Sequence, residues 1–112
     1  MATPLEVSVE RDPDGVPVVI AVGEIDMSNA LRFREALGVA FAEAEDGADA
    51  GGAGAGGVFV VDLSGVEYLD SAGINALYQH VSRVRLIATP LLVPVLTVAG
   101  LAEVTSVREP SE

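Results

Sequence analysis

Ser71 is the side chain whose neighbours best suit chemistry at a protein surface. It stands in Asp70-Ser71-Ala72-Gly73, just ahead of apolar residues at helical spacing. That places it at a helix N-terminus, where unpaired N–H groups and the helix dipole favour negative charge. A phosphate on its hydroxyl would be accommodated there. Ala72 and Gly73 are small enough to let another protein's active site reach the hydroxyl. The competing reading is that Asp70 or Ser71 simply caps the helix, which is the commoner meaning of Asp-Ser before an apolar stripe. On the tetrapeptide alone the capping reading is the stronger.

Other chemistries find less support. Serine catalysis needs a base within hydrogen-bond reach, and the single histidine, His80, lies nine residues on along the same predicted helix. At about 1.5 Å of rise per residue that is over 10 Å away, and no Gly-x-Ser-x-Gly elbow is present. Glu24 and Asp26 would face the same way on an extended segment, as an acid/base pair requires. No aromatic pocket residues accompany them, so a helix cap and interaction surface is the preferred reading. The glycine-rich stretch 46–57 lacks the Gly-Lys-Ser/Thr of a phosphate-binding loop and leads into a strand, so it reads as a flexible surface loop. With no cysteine and one histidine, neither a disulfide nor a structural metal site is expected, and no cofactor is implied. Seventeen acidic against six basic residues give a net charge of −11, which disfavours nucleic acid and anionic lipid as partners. No apolar run is long enough to span a bilayer and the N-terminus has no signal-peptide pattern, so a cytoplasmic location is expected.

The elements that must position these residues follow from periodicity. Leu5–Val9 alternates as a half-buried strand, Arg11–Gly15 is a turn, and Val16–Val22 is an apolar strand expected to be covered on both faces. Gly23–Ser28 leads into a helix with Asp26 or Ser28 as N-cap and Ala30, Phe33, Leu37, Ala40, Phe41 and Ala44 as its buried stripe. Val58–Leu63 is a central parallel strand, Ser64-Gly65 starts a turn, and Ser71 opens a second helix with Ile74, Leu77, Tyr78 and Val81 inward. Leu86–Ala88 is a short fourth strand, Leu91–Ala99 a third helix with Gly100 as its C′ residue, and Leu101–Val107 a last strand. The order β-β-α-β-α-β-α-β implies one domain over residues 1–112. It has a mostly parallel α/β sheet of four to five strands, opened by a hairpin and packed with three helices. The first two helices should begin together at the carboxyl end of the sheet, where such folds place their working residues.

Two stretches carry a resemblance to a known family. Gly23-Glu24-Ile25-Asp26 leads from the second strand into the first helix, and Val61-Asp62-Leu63-Ser64-Gly65-Val66-Glu67-Tyr68-Leu69-Asp70-Ser71-Ala72-Gly73 runs from the central strand into the second. Ala99-Gly100-Leu101 adds a weaker match. In this order they resemble the STAS-domain family, specifically its stand-alone anti-sigma factor antagonists. The resemblance implies a non-enzymatic switch. Ser71 would be the phosphoacceptor, with Asp26, Ser28, Asp70 and Gly73 around it at the partner-binding surface. The implied partners are an anti-sigma factor with kinase activity, which phosphorylates the serine, and a phosphatase that resets it. The unphosphorylated form would hold the anti-sigma factor and free a sigma factor. The family also contains structural STAS subunits of lipid-transport and stress-sensing assemblies, in which Ser71 would only cap. The short stretch after His80 implies a curtailed fourth strand, and the family's C-terminal helix has no room before Glu112.

Overall fold

β-branched runs and the Asp-Pro-Asp-Gly turn set up the first hairpin. Asp12 accepts from the N–H groups of Asp14 and Val16, both at 2.9 Å, and Gly15 takes φ +85°. The computed structural model describes residues 4–49 and 57–110. It pairs β1 (Glu6–Arg11) antiparallel with β2 (Pro17–Ile25). From β2 the sheet continues in parallel through β3 (Phe59–Leu69), β4 (Val84–Ile87) and β5 (Ser106–Arg108), in the order β1-β2-β3-β4-β5. The helices are α1 (Ala30–Asp49), α2 (Ser71–Tyr78), α3 (Val93–Val98) and α4 (Leu101–Val104). The expected hairpin-opened parallel α/β sheet is therefore present, with five strands and, among the described residues, four helices where three were expected.

The core lies on one face of that sheet. Val19, Ala21 and Ile25 of β2, Phe59, Val61 and Leu63 of β3, and Leu86 of β4 meet Phe33, Leu37, Ala40 and Ala44 of α1 and Leu77 of α2, all buried. The stripe expected of α1 is the stripe it buries, with Phe41 half-buried at its margin. α1 runs on through Asp49, into the start of the segment read as a loop. Residues 50–56 of that segment lie outside the described residues.

Several expectations change. β2 is covered on one face only: Val18, Ile20 and Val22 point to the other side, and Val22 is 41% exposed. An all-apolar strand suggested two covering layers, but the residues on its outward side stay only partly covered. Ser64-Gly65 is not a turn. β3 continues through it to Leu69 with two register shifts against β2, because it carries two residues more than its neighbour between Ile20/Asp62 and Ile25/Leu69. α2 stops at Tyr78, so Val81 and His80 belong to the following turn rather than to the helix. α3 begins with Leu92 as N-cap, with no side-chain hydrogen bond and a proline in its first turn, not at Thr89-Pro90. The last strand is short because Gly100, at φ +85°, turns the chain and Leu101 drops into the core, winding Leu101–Val104 into a helical turn. β4 is short, as expected, but lies at Val84–Ile87.

Candidate functional site

Two strand ends build the site. β2 and β3 finish in register, Ile25 beside Leu69, and the Asp70 N–H donates to the Ile25 carbonyl at 3.1 Å. Neighbouring strands lie about 4.8 Å apart, so the chain leaving β2 through Asp26 and the chain leaving β3 through Asp70 and Ser71 start out side by side.

Asp70 is the N-cap of α2. Its Oδ1 accepts from the N–H groups of Ala72 (2.8 Å) and Gly73 (3.3 Å), and its backbone is extended at φ −95°. Ser71 is the first helical residue, exposed, and its hydroxyl has no hydrogen-bond partner among the described residues. The capping role and the candidate reactive role thus fall on different residues.

Gly73 is buried. A Cβ there would stand 2.4 Å from Leu69 Cδ1 and 2.9 Å from Ile25 Cγ2. Its part is to let α2 sit on the strand ends, and it offers no surface to a partner.

Asp26 does not cap α1, and neither does Ser28. The N–H groups of Arg32 and Phe33 reach the carbonyl of Asn29, whose amide side chain accepts from the Asp26 N–H (3.0 Å) and donates to the Glu24 carbonyl (2.9 Å). Asp26 Oδ1 instead accepts the Ser28 hydroxyl at 2.5 Å and the Ser28 N–H at 2.8 Å. The hydroxyl of Ser28, then its N–H, hold the Asp26 carboxyl below its ordinary pKa of 3.8, so Asp26 is charged at neutral pH. Ser28 is exposed, but its hydroxyl is already engaged.

Around these polar groups stand apolar side chains that the sequence reading passed over. Met27 is 84% exposed, Leu31 in the first turn of α1 66%, and Tyr68 at the end of β3 51%. Met27 and Leu31 flank the connection that starts with Asp26, and Tyr68 pairs in register with Glu24. Leu31 was detectable as a large apolar residue off the α1 stripe, as was Val39 further along the helix. A shallow groove of about 490 Å³ lies nearby, lined by Val22, Gly65, Glu67, Thr89 and Leu91. This surface has the composition of a protein contact: apolar anchors beside the Asp26 and Asp70 carboxylates and the unengaged hydroxyl of Ser71. His80 packs at the far end of β3, its ring 5.3 Å from that of Phe41 and 5.8 Å from that of Phe59. Among the described residues no cluster of His, Cys, Asp and Glu could hold a metal ion, and no helix is long and apolar enough to cross a membrane.

The family model described as STAS domain matches residues 8–95. An anti-sigma factor antagonist from Mycobacterium paratuberculosis is 28% identical. It superposes with a TM-score of 0.77, over 96% of this chain and 87% of that one. The anti-sigma factor antagonist SpoIIAA in its unphosphorylated form is 16% identical, with a TM-score of 0.66 over 96% of this chain and 90% of that one, a likeness of fold. Among curated proteins no sequence matches the chain.

Proposed function

Because the chain belongs to the STAS-domain family, we propose that it is an anti-sigma factor antagonist, a binding protein without catalysis of its own that Ser71 switches by phosphorylation. In this reading it works in the cytoplasm. With Ser71 unmodified it holds an anti-sigma factor that is also a serine kinase, freeing a sigma factor, and a phosphatase restores the free hydroxyl. Asp26 and Asp70 contribute charge at the contact, and Met27, Leu31 and Tyr68 contribute apolar anchors.

The observation that carries this reading is the unengaged, exposed hydroxyl of Ser71 on the first residue of α2, beside a cap that already fills the helix end. Asp70 has taken the N–H groups of Ala72 and Gly73, and Ser71 opens the helix with its hydroxyl unengaged. A phosphate, bringing −1.5 to −2 charge, would gain the helix dipole but meet the Asp70 carboxylate and the charged Asp26 nearby. Those two effects oppose each other within the fold, so folding stability changes little. A partner seated on the surface loses a packed contact and faces added negative charge, at a cost of about a hundredfold in affinity. The likeness over nearly the whole chain to an anti-sigma factor antagonist at 28% identity supports the same role.

The test is incubation with the cognate anti-sigma kinase and ATP, phosphosite mapping by mass spectrometry, and calorimetric titration of both forms. Phosphate on Ser71 and loss of binding are expected. A chain that is not modified, or that binds equally tightly when modified, refutes the switch and leaves a structural STAS subunit as the reading.

A further inference from the structure

The uncovered face of the sheet is graded in charge. Cross-strand register sets one row running from Glu10 through Val18 and Val60 to Arg85, and the next from Ser8 through Ile20 and Asp62 to Ile87 and Arg108. The β1 side is therefore acidic, the middle apolar and half-buried, and the β4–β5 side basic, with Glu10, Arg85 and Arg108 all exposed. Asp14 in the hairpin turn extends the acidic side along a groove of about 620 Å³ whose other end is lined by Arg85 and Arg108. Arg11 and Arg83 pair with Glu43 and Glu45, whereas Arg85 and Arg108 have no acidic partner among the described residues. Asp62, the one carboxylate in the apolar middle, is turned aside to the N–H (2.9 Å) and hydroxyl (2.6 Å) of Ser64.

We propose that this face pairs with a second copy of the same chain. A two-fold axis lying in the interface, along the strands, exchanges the left and right sides of the sheet. With the axis between β2 and β3, it sets Glu10 of each copy over Arg85 of the other and Val18 of each over Val60 of the other. Two such sheets pack face to face about 10 Å apart, the ordinary spacing of an aligned sandwich. The pattern is self-complementary, as an isologous contact requires. With a net charge of −11 on each copy, contact pairs must act where long-range repulsion is screened, as it is beyond about 8 Å at 0.15 M salt. Val18, Val60 and Arg85 stand at the openings of β2, β3 and β4, whereas Ser71 follows the end of β3, so the pairing and the switch are tested separately.

Sedimentation velocity at about 0.15 M salt and chain concentrations up to about 1 mM tests the pairing. The wild-type chain should dimerise reversibly. Glu10→Arg/Asp14→Arg and Arg85→Glu/Arg108→Glu, each shown to be folded by its thermal melt, should be monomeric alone, and mixed they should form a one-to-one heterodimer. A monomeric wild type, a doubly substituted chain that still dimerises like the wild type, or a mixture that stays monomeric would overturn the proposal.

Discussion

Gly73→Ala should loosen the seat of α2 and disturb the Ser71 surface together. The new methyl would lie 2.4 Å from Leu69 Cδ1 and 2.9 Å from Ile25 Cγ2, well inside contact distance. Leu69 can swing its chain end, but it is buried. Ile25 is β-branched, fully buried and stiff at χ1. Overpacking of this kind costs about 1–3 kcal/mol, and the better helix propensity of alanine returns at most about 1 kcal/mol, leaving a net loss of about 1–2 kcal/mol. For a domain of this size that lowers Tm by about 5–10 °C. Scanning calorimetry measures the midpoint. Titration of the folded variant at low temperature with the anti-sigma partner should show weakened binding beyond any unfolded fraction, because α2 can relieve the clash only by moving its first turn. A Gly73→Ala chain as stable as the wild type, with unchanged affinity, would refute the account of how α2 is seated.

Asp70→Ala removes the cap and should cost about 1 kcal/mol with faster hydrogen exchange at the Ala72 and Gly73 amides, while Asp70→Asn should keep most of both. Asp26→Asn retains an oxygen for Ser28, so the melting temperature should hold while partner affinity, read by calorimetry, drops if the charge is used at the contact. His80 has its pKa lowered from 6.5 by burial, so the unfolded chain binds the extra proton first as pH falls. Its contribution to stability is complete above pH 6.5 and is lost as pH falls through the lowered value. Thermal melts between about pH 7 and 5 should therefore decline more steeply for the wild type than for His80→Gln, and parallel profiles would show that His80 plays no part.

Much of the architecture was legible because it rests on period. The α1 stripe of Phe33, Leu37, Ala40 and Ala44 repeats at three and four residues, and the Asp-Pro-Asp-Gly turn can only fold back. β3 misled for the same reason. Leu63, Val66 and Leu69 are all buried, three residues apart, because each bulge adds one residue to the two-residue strand period. A period of three in Leu-Ser-Gly-Val-Glu-Tyr-Leu fits no regular strand, so the stretch read as a turn. At the site, the placement of Ser71 at a helix start was legible from Asp-Ser ahead of an apolar run. Which residue caps was not, since Asp26, Ser28 and Asn29 are all good caps and the choice fell to backbone geometry. The side chains of Met27 and Leu31 carried no polar signal at all. The half-covered β2 escaped notice because apolar content reports what a strand can bury, not what lies above it.

The bulges in β3 also govern where the chain can change length. In a regular strand, losing one residue turns every following side chain to the opposite face and drags the segment beyond it out of register. Between Leu63 and Leu69 that penalty is relaxed, since removing Glu67 would restore the two-residue spacing from Val66 to the following leucine, with both still inward. The strand would straighten locally while Leu69 stayed beside Ile25, and Ser71 would keep its place next to Asp26. Loss of Glu67 should therefore be tolerated, whereas loss of one residue from the regular part of the strand should turn its inward side chains outward.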